Sequence, residues 1–306
     1  MRRGAAFGVA LTCFYVVLEA TQFVYLGGLF QRIDPFLFGL IVFGGTAVGF
    51  TGWTWLVRPK EIAAARAHFK HVVLLNLCAL VTFMSYLVSV QLIEPAITYS
   101  ISSGMMPLSA LVFAWFGVTK GGGLRNWSEL AGTVVIFAGV VYLSIATLSG
   151  WSGFVRGGIW QGALGVATAM LDGVFFTLIL ALSGRLNAAG VGPAAVMGLR
   201  LLLYTVATGA VAAVTAQSMT PLPIWQLLGL CALGFVLAVP PLYVLQRAVA
   251  LVSTFTIAVL TALGPIVIFG LQILEGRVAF ATATLIGLSL YMAGALLTAF
   301  GGYRGR

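Results

Sequence analysis

Two acids stand in the middle of apolar segments, where a carboxyl group is costly. Glu19 interrupts VVLEATQF, residues 16–23, and Asp172 interrupts TAMLDGVF, residues 168–175. A charged residue at the centre of a membrane helix costs about 2.5–3.5 kcal/mol on insertion scales, so each acid needs a watery cavity or a polar partner. Two interpretations follow. Each acid binds a cation or a proton on a path through the membrane, or it hydrogen-bonds a neighbouring helix and holds the two helices together.

Polar and aromatic side chains accompany both acids at helical spacing. Residues three or four positions apart share one face of a helix. Three predicted faces carry such groups: Tyr15, Glu19 and Gln22; Thr168, Asp172 and Phe176; Tyr99, Ser103 and Met106. A single aromatic residue or methionine is more often packing than part of a site, but their presence beside the acids favours a substrate- or proton-binding site.

A basic residue also lies inside an apolar segment. Arg200 stands in MGLRLLLY, within the seventh predicted span. A guanidinium group does not lose its charge in proteins, so a buried arginine needs an anion. Asp172 on the adjacent helix and a carboxylate of a substrate are the two candidates.

Two prolines are predicted inside membrane helices. Pro107 and Pro265 each remove a backbone donor and free the carbonyl four residues earlier, at Ser103 and at Thr261. A freed carbonyl could bind substrate, water or a hydroxyl group, and the kink could let the helix flex as a gate. A static kink is the alternative.

The elements that position these groups are membrane helices. Hydrophobic residues make up 61% of the 306 residues and charged residues 8%, against roughly half and about a quarter in soluble domains. Apolar runs of about 20 residues cross a hydrocarbon core as helices, whereas the strands of a barrel would alternate apolar and polar residues. We therefore predict an all-α integral membrane protein with ten transmembrane helices, at residues 5–28, 34–57, 71–91, 95–118, 128–148, 157–182, 192–216, 223–246, 250–271 and 280–301.

Lys and Arg are distributed unevenly among the predicted loops. With the N-terminus inside, twelve of the sixteen lie in inner segments and three in outer loops. Cytoplasmic loops collect positive charge, so we expect a multi-pass protein of the cell (inner or plasma) membrane with cytoplasmic N- and C-termini. The net charge of +9 is then a topology signal and an attraction to membrane lipids, not a nucleic-acid footprint. No metal site and no cofactor are predicted.

The chain contains an internal repeat. RGAAFGVALTCFYVVLEA, which ends at Ala20, aligns with RGGIWQGALGVATAMLDG, which ends at Gly173, so that Glu19 corresponds to Asp172. Further along, MMP aligns with LGP, and GTVVIFAG at 132–139 aligns with GLSLYMAG at 287–294. The shared order of these weak matches indicates a duplicated chain.

The repeat predicts an inverted architecture. The halves are residues 1–150 and 151–306, and each has five predicted spans. Because five is odd, the second half enters the membrane from the opposite side. Inverted repeats are a recurring plan of secondary transporters, with the substrate near the midplane between the halves.

Over nearly its whole length the sequence resembles the drug/metabolite transporter (DMT) superfamily, in particular its ten-helix EamA-type members. The resemblance is carried by the following residues: Pro107 and Pro265 in the fourth helix of each half, Gly132, Gly139, Gly287 and Gly294 in the fifth, Glu275 after the ninth span, and Arg200. The first half departs from the pattern with VTKGGG opposite Glu275 and with Val42 near the position of Arg200. The resemblance implies export or exchange of small metabolites, including amino acids, amines, sugars and nucleotide sugars.

These observations lead to one expected function and one alternative. We expect an alternating-access transporter of a small polar or amphipathic metabolite, first an amino acid or amine exporter or exchanger, with proton coupling left open. The alternative is a lipid or lipid-head-group flippase of the same fold. An enzyme is not expected, because no catalytic triad, HExxH, Walker loop or dinucleotide fingerprint occurs. The expected partners are a small-molecule substrate, membrane lipids and protons, and the chain is a monomer or a homodimer.

Overall fold

A computed structural model gives the fold. It describes residues 2–29, 34–119, 126–152, 157–215, 223–275 and 281–304. These residues form the following α-helices: α1 (Arg2–Leu29), α2 (Pro35–Val57), α3 (Pro59–Ala67), α4 (Phe69–Leu92), α5 (Pro95–Trp115), α6 (Trp127–Leu148), α7 (Ile159–Ala188), α8 (Pro193–Leu199), α9 (Leu202–Thr215), α10 (Ile224–Val249), α11 (Thr254–Thr261), α12 (Gly264–Glu275) and α13 (Thr282–Arg304).

Ten segments of these helices are long and apolar enough to cross a membrane. This confirms the predicted helical, multi-pass membrane protein with ten spans. The seventh span is built from α8 and α9, and the ninth from α11 and α12. The remaining spans are each formed by one helix.

Polar side chains set where several spans begin. Asp34 precedes α2, and its carboxylate accepts hydrogen bonds from the backbone N–H groups of Phe36 (2.7 Å) and Leu37 (2.9 Å). Asn126 precedes α6, and its Oδ1 accepts from the N–H of Glu129 at 2.9 Å. Because the first N–H groups of a helix have no partner within the helix, such side chains stabilise its start.

The sixth span extends further than expected. The apolar pattern predicts a helix over residues 157–182, but α7 continues to Ala188. Arg185 and Asn187 extend the helix beyond its apolar part, and Gly190 follows with a φ of +89°. Glycine adopts this left-handed conformation without steric cost, so it ends the helix.

A short helix lies in the basic segment between the second and third spans. Helix α3 begins at Pro59, and Arg58 before it forms an ion pair with Glu61 at 3.1 Å. The guanidinium of Arg58 also lies 5.2 Å from the ring centroid of Trp53. The second carboxylate oxygen of Glu61 accepts a hydrogen bond from the N–H of Gly192 at 3.0 Å, which ties α3 to the start of α8.

The seventh span is interrupted at the arginine. Helix α8 ends at Leu199 and α9 begins at Leu202, so that Arg200 lies in a turn between them. This break contains neither proline nor glycine.

The two intrahelical prolines have different local structures. Helix α5 runs without interruption through Pro107. The ninth span, in contrast, stops at Thr261 and restarts at Gly264, with Pro265 as the second residue of α12. Proline is tolerated in the first turn of a helix, where its missing N–H would have no helical partner. The expected kink at Pro265 is therefore a complete helix break.

The chain divides into two compact units, and each takes segments from both halves of the sequence. Unit 1 consists of Met1–Phe83 and Leu178–Leu251, and unit 2 consists of Met84–Thr177 and Val252–Arg306. The repeat boundaries, residues 1–150 and 151–306, therefore do not coincide with the limits of these units, and they stay a prediction.

Unit 1 is built around α2 and α10. Helix α1 packs against α10, and α2 packs against α8, α9 and α10. An aromatic cluster fills part of its interior, with Phe43 at 5.4 Å from Phe83 and 5.5 Å from Tyr204 between ring centroids. Tyr204 lies four residues, about one helical turn, after Arg200.

Unit 2 is built around α5 and a close pair of helices, α6 and α13. Glycines allow the two backbones of this pair to approach: a Cβ added to Gly132 would meet the carbonyl oxygen of Gly294 at 2.6 Å, and one added to Gly139 would meet the Cα of Tyr291 at 3.1 Å. Helix α5 packs against α6, α11 and α12. This unit holds the acid Asp172 and both prolines.

Candidate functional site

Glu19 in unit 1 has a hydrogen-bond partner on its own helix. The hydroxyl of Tyr15, one turn earlier in α1, donates to a carboxylate oxygen of Glu19. Tyr15 is completely buried, whereas Glu19 is partly exposed. Gln22 is buried on the same helix. The helical spacing of these residues therefore brings the acid and the phenol into contact.

The break beside Arg200 is bridged by an asparagine from another helix. Asn76 of α4 donates from Nδ2 to the carbonyl of Leu199 at 2.8 Å, and its Oδ1 accepts from the N–H of Leu203 at 3.0 Å. In an unbroken helix these two backbone groups would bond to each other. The amide of Asn76 thus replaces one helical hydrogen bond and stabilises the turn that carries Arg200.

The side chain of Arg200 is buried among neutral groups of unit 1. It is 1% exposed, and its terminal nitrogens contact Oε1 of Gln246 at 3.4 Å and the sulfur of Met197 at 3.3 Å. Its Nε has no hydrogen-bond partner, and neither has Nε2 of Gln246. The phenol of Tyr15 is near enough to interact with it electrostatically. Among the described carboxylates of this unit, none forms an ion pair with Arg200.

Asp172 in unit 2 is bonded by a different helix. The hydroxyl of Ser102 in α5 donates to Oδ2 of Asp172 at 2.6 Å, and Asp172 is 6% exposed. Gly173, the next residue, makes this contact possible, because a Cβ there would collide with the carbonyl oxygen of Ser102. One turn later, Thr177 donates to the carbonyl of Met106 at 3.3 Å. Helices α5 and α7 are therefore joined by polar contacts at close range.

A second polar cluster of unit 2 includes Ser103 and the freed carbonyl of Thr261. Ser103 donates to the carbonyl of Tyr99 at 2.6 Å, and its hydroxyl lies 2.9 Å from that of Tyr291 in α13. The hydroxyl of Tyr99 reaches the carbonyl of Thr261 at 3.5 Å, a long hydrogen bond. This is the carbonyl that Pro265 leaves without its helical donor, so a phenol takes the place of the missing N–H.

Thr168 bonds to its own helix. Its hydroxyl donates to the carbonyl of Leu164 at 2.8 Å and to that of Gly165 at 3.1 Å. It lies one turn before Asp172, as the spacing predicts.

The predicted site residues are thus distributed between the two units. Unit 1 holds Tyr15, Glu19, Gln22 and Arg200, and unit 2 holds Tyr99, Ser103, Pro107, Thr168, Asp172 and Pro265. Within each unit, hydrogen bonds link several of them, as described above. The expected ion pair between Arg200 and Asp172 joins residues of different units, and it stays a prediction.

Four partners were missed by the sequence analysis: Asn76, Ser102, Gln246 and Tyr291. A signal for Asn76 and Gln246 was present, since each is a polar amide inside an apolar run. Ser102 and Tyr291 carry no such signal, because serine and tyrosine are common in membrane helices. Glu275, which the resemblance singles out, has a side chain outside the described residues.

One cavity of about 320 Å³ lies in unit 1 at the turn between α7 and α8. Its lining includes Asn187, whose amide nitrogen and oxygen are buried without a hydrogen-bond partner. None of the predicted site residues lines it. In the part of the chain that the structure describes, no group of three or more His, Cys, Asp or Glu residues could hold a metal ion.

These findings define the class of protein as a helical, multi-pass membrane protein, with ten candidate spans in the described part of the chain. No family model matches the chain, and no curated protein matches it. Twenty-three chains of solved structures are similar to it. One of these is a crystal structure of a protein. It aligns with a TM-score of 0.68 and 18% sequence identity, covering 96% of both chains. At this identity the similarity shows a shared fold.

Proposed function

We propose that this chain is an alternating-access secondary transporter of a small polar or amphipathic metabolite, with amino acids and amines as the first candidates. The observation that carries the proposal is a hydrogen-bonded carboxyl group inside an apolar span of each half. Tyr15 bonds to Glu19, and Ser102 bonds to Asp172. Carboxyl groups within membrane spans are typical of ion, proton and substrate pathways. The sequence resemblance to EamA-type transporters supports the same function.

The contacts between α6 and α13 support the inverted repeat on which alternating access would depend. In the repeat alignment Gly132 corresponds to Gly287, and Gly139 to Gly294. A Cβ on Gly139 would meet the backbone of Tyr291, and one on Gly294 would meet the N–H of Ile136. Exchanging each residue of the first contact for its repeat equivalent gives the second contact. Reciprocal contacts of this kind are expected across a two-fold axis.

Reconstitution of the full chain into liposomes tests the proposal. We expect uptake of labelled amino acids or amines that exceeds uptake by empty liposomes, and no faster exchange of labelled lipids between the leaflets. Lipid exchange without solute uptake would replace the proposal by the flippase alternative. Glu19→Gln is the matched variant, because it keeps the size of the side chain and removes its charge.

The membrane orientation is part of the proposal. The excess of Lys and Arg in the predicted inner loops supports cytoplasmic N- and C-termini and a location in the inner or plasma membrane. An epitope tag after Arg306 should react with an antibody only after the membrane has been permeabilised. Labelling of the tag on intact cells would show the opposite orientation.

A further inference from the structure

We propose that Arg200 binds the carboxylate group of the transported solute. This inference rests on the proposed transport function and makes the substrate class narrower: the solute carries a carboxylate, so a simple amine is not sufficient. It concerns the buried cluster of Arg200, Gln246, Met197 and Tyr15, all in unit 1.

Arg200 carries a charge in a buried environment. Its guanidinium is 1% exposed, yet the two groups within hydrogen-bond distance are an amide oxygen and a thioether sulfur, both neutral. A buried charge that lacks a counter-ion among the described residues of its own unit is costly, and native proteins keep such groups where they bind something. The Nε–H without a partner is a donor that remains for a ligand.

The chemistry of the guanidinium selects the ligand. Its N–H groups form a planar fork that matches the two oxygens of a carboxylate. The contact with Oε1 of Gln246 is 3.4 Å, longer than the usual 2.7–2.9 Å of a charged N–H···O contact. The sulfur of Met197, at 3.3 Å, is only a weak acceptor. A carboxylate that displaced them would therefore gain shorter and charge-assisted hydrogen bonds. The released amide of Gln246 could donate to the same carboxylate through Nε2, which has no partner.

The backbone around Arg200 is arranged for a binding residue. Arg200 lies in the break between α8 and α9, and Asn76 satisfies the carbonyl of Leu199 and the N–H of Leu203 on its two sides. The turn is thus held by an amide from another helix, while the arginine side chain itself takes no part in holding it. Broken membrane helices with satisfied backbone groups are a recurring way to build substrate sites in transporters.

The carboxyl group of Glu19 lies in the same unit as Arg200. Tyr15 is near enough to Arg200 to interact electrostatically, and it donates a hydrogen bond to Glu19. An ionised Glu19 would carry the charge opposite to that of Arg200. Such a pair fits a zwitterion, with the carboxylate at Arg200 and the ammonium group at Glu19.

Binding of four isosteric probes to the purified full-length chain tests the inference. The probes are L-leucine, 3-methylbutanoate, 3-methylbutylamine and 3-methylbutanamide, which carry both charges, the carboxylate alone, the amine alone and neither charge. Dissociation constants come from the rise in melting temperature with probe concentration. We expect the wild-type chain to bind leucine and 3-methylbutanoate, and to bind 3-methylbutanamide at least about tenfold more weakly, because hydrogen bonds between charged groups are the stronger ones.

Variants assign this preference to the arginine. Arg200→Gln should lose the preference for 3-methylbutanoate over its amide, and Arg200→Lys should keep part of it. Arg247→Gln is the matched control, because Arg247 is exposed in the last turn of α10. A cooperative melting transition of Arg200→Gln in the absence of any probe shows that this variant is folded.

Several results would overturn the inference. The first is that the wild type binds 3-methylbutanoate and its amide equally well. The second is that neither carboxylate probe stabilises the wild type. The third is that Arg200→Gln keeps the wild-type preference for the carboxylate over the amide. A gain of carboxylate binding in Asp172→Asn would show that Asp172 is the resident anion of Arg200, which also overturns it. Carboxylate binding at Arg200 without uptake of any solute into liposomes would leave the anion site in place and reject the transport function.

Discussion

The two acids of the membrane spans occupy corresponding positions in the repeat alignment, but their surroundings differ. Glu19 is partly exposed, and Tyr15 on the same helix donates to it. Asp172 is buried, and Ser102 donates to it from another helix. A partner on the same helix moves together with the acid, whereas a partner on a second helix restrains the distance between two helices. The comparison predicts that Glu19 serves the transport cycle and that Asp172 holds α7 to α5.

The largest effect is expected at Glu19. Glu19→Gln keeps the size of the side chain but cannot bind a proton or pair with a cation, so transport into liposomes should fall at least about tenfold. The remaining activity should depend little on pH. Uptake measured over a series of pH values checks this prediction. An unchanged pH profile would mean that Glu19 is a structural contact. The predicted difference in role between Glu19 and Asp172 would then be wrong.

The next effect concerns the residue that follows each acid. Ala20 follows Glu19, and Gly173 follows Asp172. Gly173→Ala gives the second region the residue of the first, and its Cβ would collide with the carbonyl oxygen of Ser102. We expect a loss of about 1–3 kcal/mol in unfolding free energy, since overpacking pushes helices apart. Thermal melting in detergent measures it.

Gly270→Ala is the control for this prediction. Gly270 lies in α12 of the same unit, and a Cβ there would have no neighbour within 4 Å. Because alanine favours helix by about 1 kcal/mol over glycine, this variant should be as stable as the wild type or more stable. Equal melting temperatures for both variants would contradict the close approach at Gly173.

A loss of similar or smaller size is expected when the hydroxyl of Ser102 is removed. Ser102→Ala leaves a buried carboxyl oxygen of Asp172 without this donor. The expected cost is about 1.5–3 kcal/mol if the carboxyl is ionised and about 0.5–1.5 kcal/mol if it is protonated. Ser100→Ala is the control on the same helix, because the hydroxyl of Ser100 bonds only to the carbonyl of Ala96 among the contacts described. The difference in stability is measured by the melting temperatures of Ser102→Ala and Ser100→Ala in parallel. Equal melting temperatures would contradict the prediction that Asp172 holds α7 to α5 through Ser102.

The smallest effect is expected at Tyr15. Tyr15→Phe removes one hydrogen bond to Glu19, but water can replace it because Glu19 is partly exposed. Transport should therefore fall by less than about tenfold, corresponding to about 0.5–1.5 kcal/mol. Tyr25→Phe, at an exposed position of α1, is the matched control for uptake assays. A loss as large as that of Glu19→Gln would show that the phenol itself is essential.

Local patterns in the sequence were sufficient to predict the ten spans and one contact of the candidate site. Apolar runs of membrane length predict ten spans because the hydrocarbon core imposes a minimum helix length. The contact between Tyr15 and Glu19 follows from a spacing of four residues in one helix. Both features depend only on residues that are close together in the chain.

Contacts between distant residues could not be predicted. The break at Arg200 has no proline or glycine to signal it, because it is stabilised by Asn76, 123 residues before Leu199. The bond from Ser102 to Asp172 depends on the closeness of α5 and α7 at Gly173. Proline alone was also an incomplete signal, since α5 continues through Pro107 while the ninth span stops before Pro265.

The bridge made by Asn76 also has a consequence for the biosynthesis of the chain. Asn76 belongs to the third span and is translated 123 residues before Leu199, so the third span leaves the ribosome before the seventh span. Insertion of that span alone would carry the cost of a membrane-centred arginine, about 2.5–3.5 kcal/mol, in addition to a turn with unsatisfied backbone groups. The amide of Asn76 removes the cost of the unsatisfied backbone groups, so we expect the seventh span to reach its folded form only after it has packed against the third.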